Sequence, residues 1–287
     1  MTDVEIALRG EPALGEGPTW DVADGSLIWV DIVGASVHRF RPSSGTDEVT
    51  PVPQHVGAAK PRVGGGLVLN LRDGVGLLDP GGELRWLVYW AREGRRGNDA
   101  AIDPAGRLWA GTMRYDQATD GGFLARIEPN GRAAVVLPAV SVSNGIGWSP
   151  DHSRMYYIDT PTRRVDVFDF SLDDGAVTGR RLFVDFGSSA GSPDGLCVDA
   201  DGCVWVAANG GGQVRRFTPE GTPDTVVDVP ASQVTACTFG GSDLTDLYVT
   251  TGREHFTADQ AAAEPLAGCL FVARGIATGL PTPRFAG

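Results

Sequence analysis

The chain predicts an all-β fold, a six-bladed β-propeller with four-stranded blades, closed by the N-terminal strand. Three observations carry this. Six apolar or aromatic strand cores recur along the 287 residues, at a spacing of ~40–50 residues expected of propeller blades. Turn-forming residues are abundant, with 40 Gly and 19 Pro. Helical stretches are scarce, and large all-β folds often run to this length as one domain, so residues 1–287 are read as a single propeller domain.

The cores are Leu27-Ile28-Trp29-Val30, Leu67-Val68-Leu69, Leu108-Trp109-Ala110, Met155-Tyr156-Tyr157-Ile158, Val204-Trp205-Val206 and Leu247-Tyr248-Val249. Four follow a turn of one type: Asp21 to Ser26, Asp103 to Arg107, Ser149 to Arg154, and Asp199 to Cys203. Pro presets the first turn φ and Gly supplies a positive φ where the chain reverses. Each turn therefore joins a first strand to a second. Third strands follow at Val37–Phe40, Phe123–Ile127, Val165–Phe168 and Val214–Phe217, several alternating apolar and polar residues as a half-buried strand does. Fourth strands are supplied by segments such as Ala134–Leu137 and Thr225–Val227.

The last blade lacks a fourth strand, since only a Gly/Pro-rich tail follows Cys269-Leu270-Phe271-Val272. The alternating Val4-Glu5-Ile6-Ala7-Leu8 is unassigned and is expected to fill that place, removing an exposed edge. One short helix is expected at Thr257–Glu264, where Thr257 and Gln260 form a capping-box pattern.

A net charge of −12 argues against nucleic-acid or anionic-membrane partners. No stretch is long enough to span a bilayer, and Met1-Thr2-Asp3-Val4-Glu5 is not a signal peptide. A cytoplasmic monomer is the expectation. Cys197, Cys203, Cys237 and Cys269 contain no Cys-x-x-Cys pair and read as buried free thiols, with a Cys197–Cys203 disulfide left open. The single lysine, Lys60, precedes a proline and reads as a loop residue. His38 and His152 are expected away from the channel mouth, while His55 and His255 lie nearer it; a structural or surface role is favoured for each. There is no Gly-x-Ser-x-Gly elbow. Gly64-Gly65-Gly66 and Gly210-Gly211-Gly212 lead into no helix and no Gly-Lys-Ser/Thr sequence, so they read as turns.

In a propeller the first strands line a central channel, so equivalent repeat positions meet around one axis. About 10–12 residues before the strand cores, by the repeat logic, stand Glu16, Asn98, Asn144, Asp194 and Thr235. The first four are oxygen donors suited to a hard divalent cation. Singly, Glu16-Gly17-Pro18, Asn144-Gly145 and Pro193-Asp194-Gly195 are ordinary turn sequences. At one register in separate repeats they form a constellation.

Glu16-Gly17-Pro18-Thr19-Trp20, Asn98-Asp99, Asp103 through Met113, Ser143-Asn144-Gly145 and Pro193 through Asp199 resemble the signatures of the family named for senescence marker protein 30, gluconolactonase and luciferin-regenerating enzyme. The resemblance covers nearly the whole chain. Where the family motif continues Asn-Asp-Gly, this chain has Ala100. The resemblance implies a six-bladed propeller with one catalytic divalent metal ion (Ca, Zn, Mn or Mg), with Glu16, Asn144 and Asp194 as ligands. It implies that Asn98 contacts water or substrate, that Arg96 binds substrate, and that Asp99 orients its loop. The loop after Arg114 would cover the channel, which makes Arg114, Tyr115 and Asp116 candidates for specificity.

These residues suit hydrolysis of a sugar lactone to its aldonic acid. A divalent ion would polarise the carbonyl and activate water; Asp194, or Glu16, would take the proton; Arg96 and Asn98 would hold the lactone. Two alternatives stay open: an organophosphate or other ester hydrolase on the same metal site, and a non-catalytic metal-binding scaffold.

Overall fold

The computed structural model describes residues 4–287; residues 1–3, the start of the N-terminal segment read above, lie outside the described residues. Six four-stranded antiparallel sheets form the blades. Their first strands are Gly15–Asp21, Val56–Pro61, Arg95–Ile102, Ser143–Trp148, Ser192–Val198 and Val234–Gly240. Each packs against the first strands of the blades on both sides, and the sixth packs against the first. That circuit makes the ring and its channel.

Every expected strand core lies in a second strand, and the third and fourth strands fall where the alternation placed them. Val4–Leu8 pairs antiparallel with Leu270–Ala273, Ile6 opposite Phe271, and becomes the outer strand of blade six. The closure is reinforced where Trp20 of blade one stacks on Tyr248 of blade six, ring centroids 5.6 Å apart. The helix spans Ala258–Ala263 with both capping-box bonds formed.

The repeated turns have a physical logic beyond chain reversal. In blade three, Asp103 Oδ1 accepts from the Ala105 and Arg107 amides, while Oδ2 accepts from Arg107 Nε at 2.6 Å and Trp109 Nε1 at 3.0 Å. In blade five, Asp199 does the same for the Asp201 and Cys203 amides, Trp205 Nε1 and Arg216. One carboxylate thus fixes the turn and satisfies the indole of the strand it leads into, so Trp109 and Trp205 can be fully buried with no orphaned N–H. The aromatic cores pack between blades: Trp109 of blade three meets Trp148 and Phe170 of blade four.

Two sequence expectations are corrected. Lys60 is not in a loop. It lies in the strand Val56–Pro61, buried, with Nζ donating to Thr19 Oγ1 at 2.6 Å and Gly17 O at 3.2 Å. Cys197 does not face Cys203; the hairpin register sets it opposite Trp205, and its Sγ lies 3.7 Å from Cys237 Sγ of the next blade. All four cysteines are free thiols. No helix among the described residues is long and apolar enough to cross a membrane.

Candidate metal and substrate site

All six first strands break register at the same point. The shifts lie between Glu16 and Thr19, Val56 and Ala58, Gly97 and Ala100, Ser143 and Ile146, Pro193 and Leu196, and Val234 and Ala236. Such bulges re-aim side chains. The candidate residues sit in them or at their edges: Glu16, Asn98, Asn144, Asp194 and Thr235 come from five blades at one level of the channel. The dipeptides that read as turns are therefore bulged strand. Their glycines serve close packing: a Cβ on Gly195 would come 2.4 Å from Ala236 Cβ. At Gly57, in the blade that supplies no polar ligand, a Cβ would meet Asn98 O at 2.1 Å. Ala100 takes its place in the strand opposite Ala110, and its amide donates to Asp99 Oδ1 at 2.7 Å.

Hydrogen bonds run from blade to blade. Asn98 Nδ2 donates to Asn144 Oδ1 and to Ser143 O, both at 2.8 Å. Asn98 Oδ1 accepts from Arg96 Nη1 at 2.5 Å. Asn144 Nδ2 donates to Thr160 Oγ1 at 2.7 Å, and that hydroxyl donates to Pro193 O. This chain orients the Asn144 amide and leaves its oxygen with a second lone pair. Asp194 Oδ2 accepts from Asn209 Nδ2 at 2.8 Å, while the buried Oδ1 has no partner. Glu16 Oε2 accepts only the Gly17 amide, at 2.9 Å.

The electrostatics follow from burying acids together. Burial pushes Glu16 well above the carboxylate range, and the charges of Asp194 and Asp99 push it further. Burial likewise raises Asp194 to about 7; the Asn209 hydrogen bond and Arg96 pull the other way, while Asp99 adds to the rise. Asp99 is raised by its own burial against the opposing charge of Lys60. Sequence reasoning gave Asp99 and Lys60 no part in this charge group. Arg96 is buried, its guanidinium bonded only to Gly97 O and Asn98 Oδ1, without an ion pair among the described residues. It keeps donors free for a ligand.

These residues fit a divalent cation: an orphaned buried carboxylate oxygen, a second carboxylate and an amide oxygen, all hard donors. Among the described residues, no group of three or more His, Cys, Asp or Glu side chains is placed to hold a metal ion, so the candidate set depends on the amide of Asn144.

The three loop candidates diverge, Tyr115 from the Arg114–Asp116 pair. Tyr115 OH lies 3.0 Å from His55 Nδ1; burial raises the Tyr115 pKa and lowers that of His55, and the charge of Arg96 acts downward on both, so the pair stands at the Arg96 side of the mouth. Arg114 is held on the outside by Asp116, Nη2 to Oδ2 at 2.6 Å. Glu254, whose charge acts on both Arg96 and His55, was not singled out in the sequence; it carries no motif, and only the closed ring brings it round. Further along the same first strands, a cavity of about 400 Å³ lined by Ile146, Leu196, Phe239 and Leu280 contains none of the candidate residues.

The fold and site define a six-bladed propeller with a polar, oxygen-lined channel. The model of the SMP-30/gluconolactonase/LRE-like region matches residues 14–253, and the chain belongs to that family. It is 37% identical to a 6-deoxy-6-sulfogluconolactonase of Pseudomonas putida, over 99% of both chains. It is 34% identical to regucalcin of Danio rerio, over 99% of this chain and 98% of that one. Among solved structures, a calcium-binding protein, regucalcin, from Agrobacterium tumefaciens superposes with a TM-score of 0.94 at 30% identity, covering 99% of this chain and 97% of that one.

Proposed function

We propose that this protein hydrolyses a sugar lactone to its aldonic acid, using one divalent metal ion held by Glu16, Asn144 and Asp194. The observation that supports this most is the buried Asp194 Oδ1 with no partner, beside a second buried acid. A buried carboxylate oxygen without a partner is costly, and a cation is the compensation this donor set suits. The sulfogluconolactonase relative supports a sugar lactone as the substrate class, and the regucalcin structure described as calcium-binding agrees with a hard ion.

When bound, the ion supplies Lewis-acid polarisation of the carbonyl and a lowered pKa for water. The rest falls to the chain. Arg96, with unspent donors, binds sugar hydroxyls or the ring oxygen. Asn98 holds Asn144 in place and contacts the substrate. Asp194, whose Oδ2 is anchored by Asn209, accepts the proton of the attacking water, a role Glu16 shares. Tyr115 and His55 meet the substrate at the mouth, and Arg114 orders the loop that carries Tyr115.

The test is acid release above the spontaneous rate from a panel of five- and six-membered aldonolactones, with a phosphotriester alongside. Lactone turnover supports the reading. Phosphotriester turnover with no lactone activity would replace the substrate class.

A further inference from the structure

Blade one carries a second constellation, outside the channel. Its third and fourth strands, Ser36–Arg41 and Thr46–Pro51, pair with Phe40 opposite Asp47 and His38 opposite Val49. The two-residue period of strands then sets Ser36, His38 and Asp47 on one face. There Ser36 Oγ lies 3.0 Å from His38 Nε2, and His38 Nδ1 lies 2.6 Å from Asp47 Oδ2. The Trp29 ring stacks on the imidazole, centroids 3.9 Å apart, and fixes its plane.

The direction of this relay follows from its ends. An ionised carboxylate only accepts, so the Nδ1 proton points at Asp47. Nε2 of the neutral ring then offers a lone pair to the Ser36 hydroxyl. Nucleophile, base and orienting acid stand within the distances required of an acyl-transfer triad, which is recognised by geometry rather than by chain order or motif. This is why the missing Gly-x-Ser-x-Gly elbow does not decide the matter.

The trio faces a cleft of about 430 Å³ whose lining includes Leu8, Arg9, Trp29, Val49 and Leu270. That volume suits a small ligand. The side chains of His38 and Asp47 are 13% and 14% exposed, shielded yet not sealed. Arg9, exposed, lines the same cleft together with the acidic Glu11 and Asp31. None of the channel residues lines this cleft.

We propose that Ser36, His38 and Asp47 form a second, metal-independent acyl-transfer site that accepts small carboxylic esters with an apolar acyl group. Ser36 Oγ bonds to the ester carbonyl carbon as its proton passes to His38 Nε2. The carbon–oxygen bond to the alcohol breaks, and the leaving oxygen takes that proton. Water then attacks the acyl-serine, giving a proton to Nε2; the acid departs and Ser36 Oγ recovers the proton.

The test is labelling of the full chain with a fluorophosphonate in excess chelator, with the modified residue located by peptide mass spectrometry, and hydrolysis of p-nitrophenyl butyrate under the same conditions. The expected result is a label on Ser36. Ester hydrolysis should fall about 10²–10⁴-fold in Ser36→Ala and in Asp47→Asn, with lactone hydrolysis by the metal-loaded protein unchanged. Asp47→Asn preserves shape and removes only the fixed tautomer. An unlabelled Ser36, or esterase activity that survives Ser36→Ala or is abolished by chelator, would overturn the proposal. The chelator separates its failure from that of the channel reading, which requires the metal.

Discussion

Asn98 Nδ2 donates to Asn144 Oδ1 at 2.8 Å, joining blade three to blade four inside the channel. The bond makes Asn98 the residue that orients an amide proposed to bind metal, with Arg96 holding Asn98 from behind. Partners that orient ligands matter about 10–100-fold in metal affinity. Asn98→Ala is therefore expected to weaken divalent-ion binding by that factor while the protein stays folded. Calorimetric titration checks it; an unchanged affinity would remove Asn98 from the metal site.

Replacing Asp194 by Asn should have opposite effects on activity and on the stability of the metal-free protein. Loss of a proton acceptor lowers kcat by about 10²–10⁴-fold. Loss of a buried, half-satisfied carboxylate relieves a desolvation cost, so the chelated variant should melt higher than chelated wild type at pH 8. A lower melting temperature would mean that Asp194 is structurally required.

The metal-free protein should become less stable as pH rises from about 4 to about 7. Asp194 has an ordinary value of 3.8 and is raised to about 7 by burial. Across that interval the folded protein keeps a proton that the unfolded chain has released. Stability therefore falls with rising pH and is fully present only below the lower value. Glu16, raised for the same reason, adds in the same direction. Thermal unfolding in chelator at pH 5 and pH 8 measures this, and a saturating divalent ion should restore stability at pH 8.

Asp199→Ala should destabilise the fold far more than an ordinary turn substitution. It strands the buried Trp205 indole N–H and takes a partner from Arg216, which also reaches Asp224. Breaking a buried charged pair on one side costs about 3–5 kcal/mol. Chemical denaturation gives the value; a loss within ~0.5 kcal/mol, ordinary for a surface change, would refute this role of the turn carboxylate.

The fold was legible because each blade repeats its own local signals. Trp29, Trp109 and Trp205 mark the same strand of three blades, and Asp103 and Asp199 mark the same turn. The level of Glu16, Asn98, Asn144 and Asp194 was legible for the same reason. What escaped were contacts that only the assembled strands create. Lys60 sits in a strand because its ammonium reaches Gly17 O and Thr19, residues distant in sequence that no local pattern connects to it. Cys197 meets Cys237 because the first strands of blades five and six pack side by side, not because of its near neighbour Cys203. Within blade one, the strand register brings Ser36 and Asp47 to the two nitrogens of His38, a grouping no sequence motif marks. The bulges that turn Asn-Gly and Asp-Gly from reversals into channel-lining strand also have no signal of their own, since Gly serves both purposes.

The most direct test of the central claim is proton release on adding glucono-1,5-lactone to metal-stripped protein, repeated after adding back calcium, zinc, manganese or magnesium. The account predicts acid formation at the spontaneous rate without metal, a rise with at least one ion, and loss of that rise in Asp194→Ala. Lactone turnover that persists in the stripped protein, or survives Asp194→Ala, would contradict it.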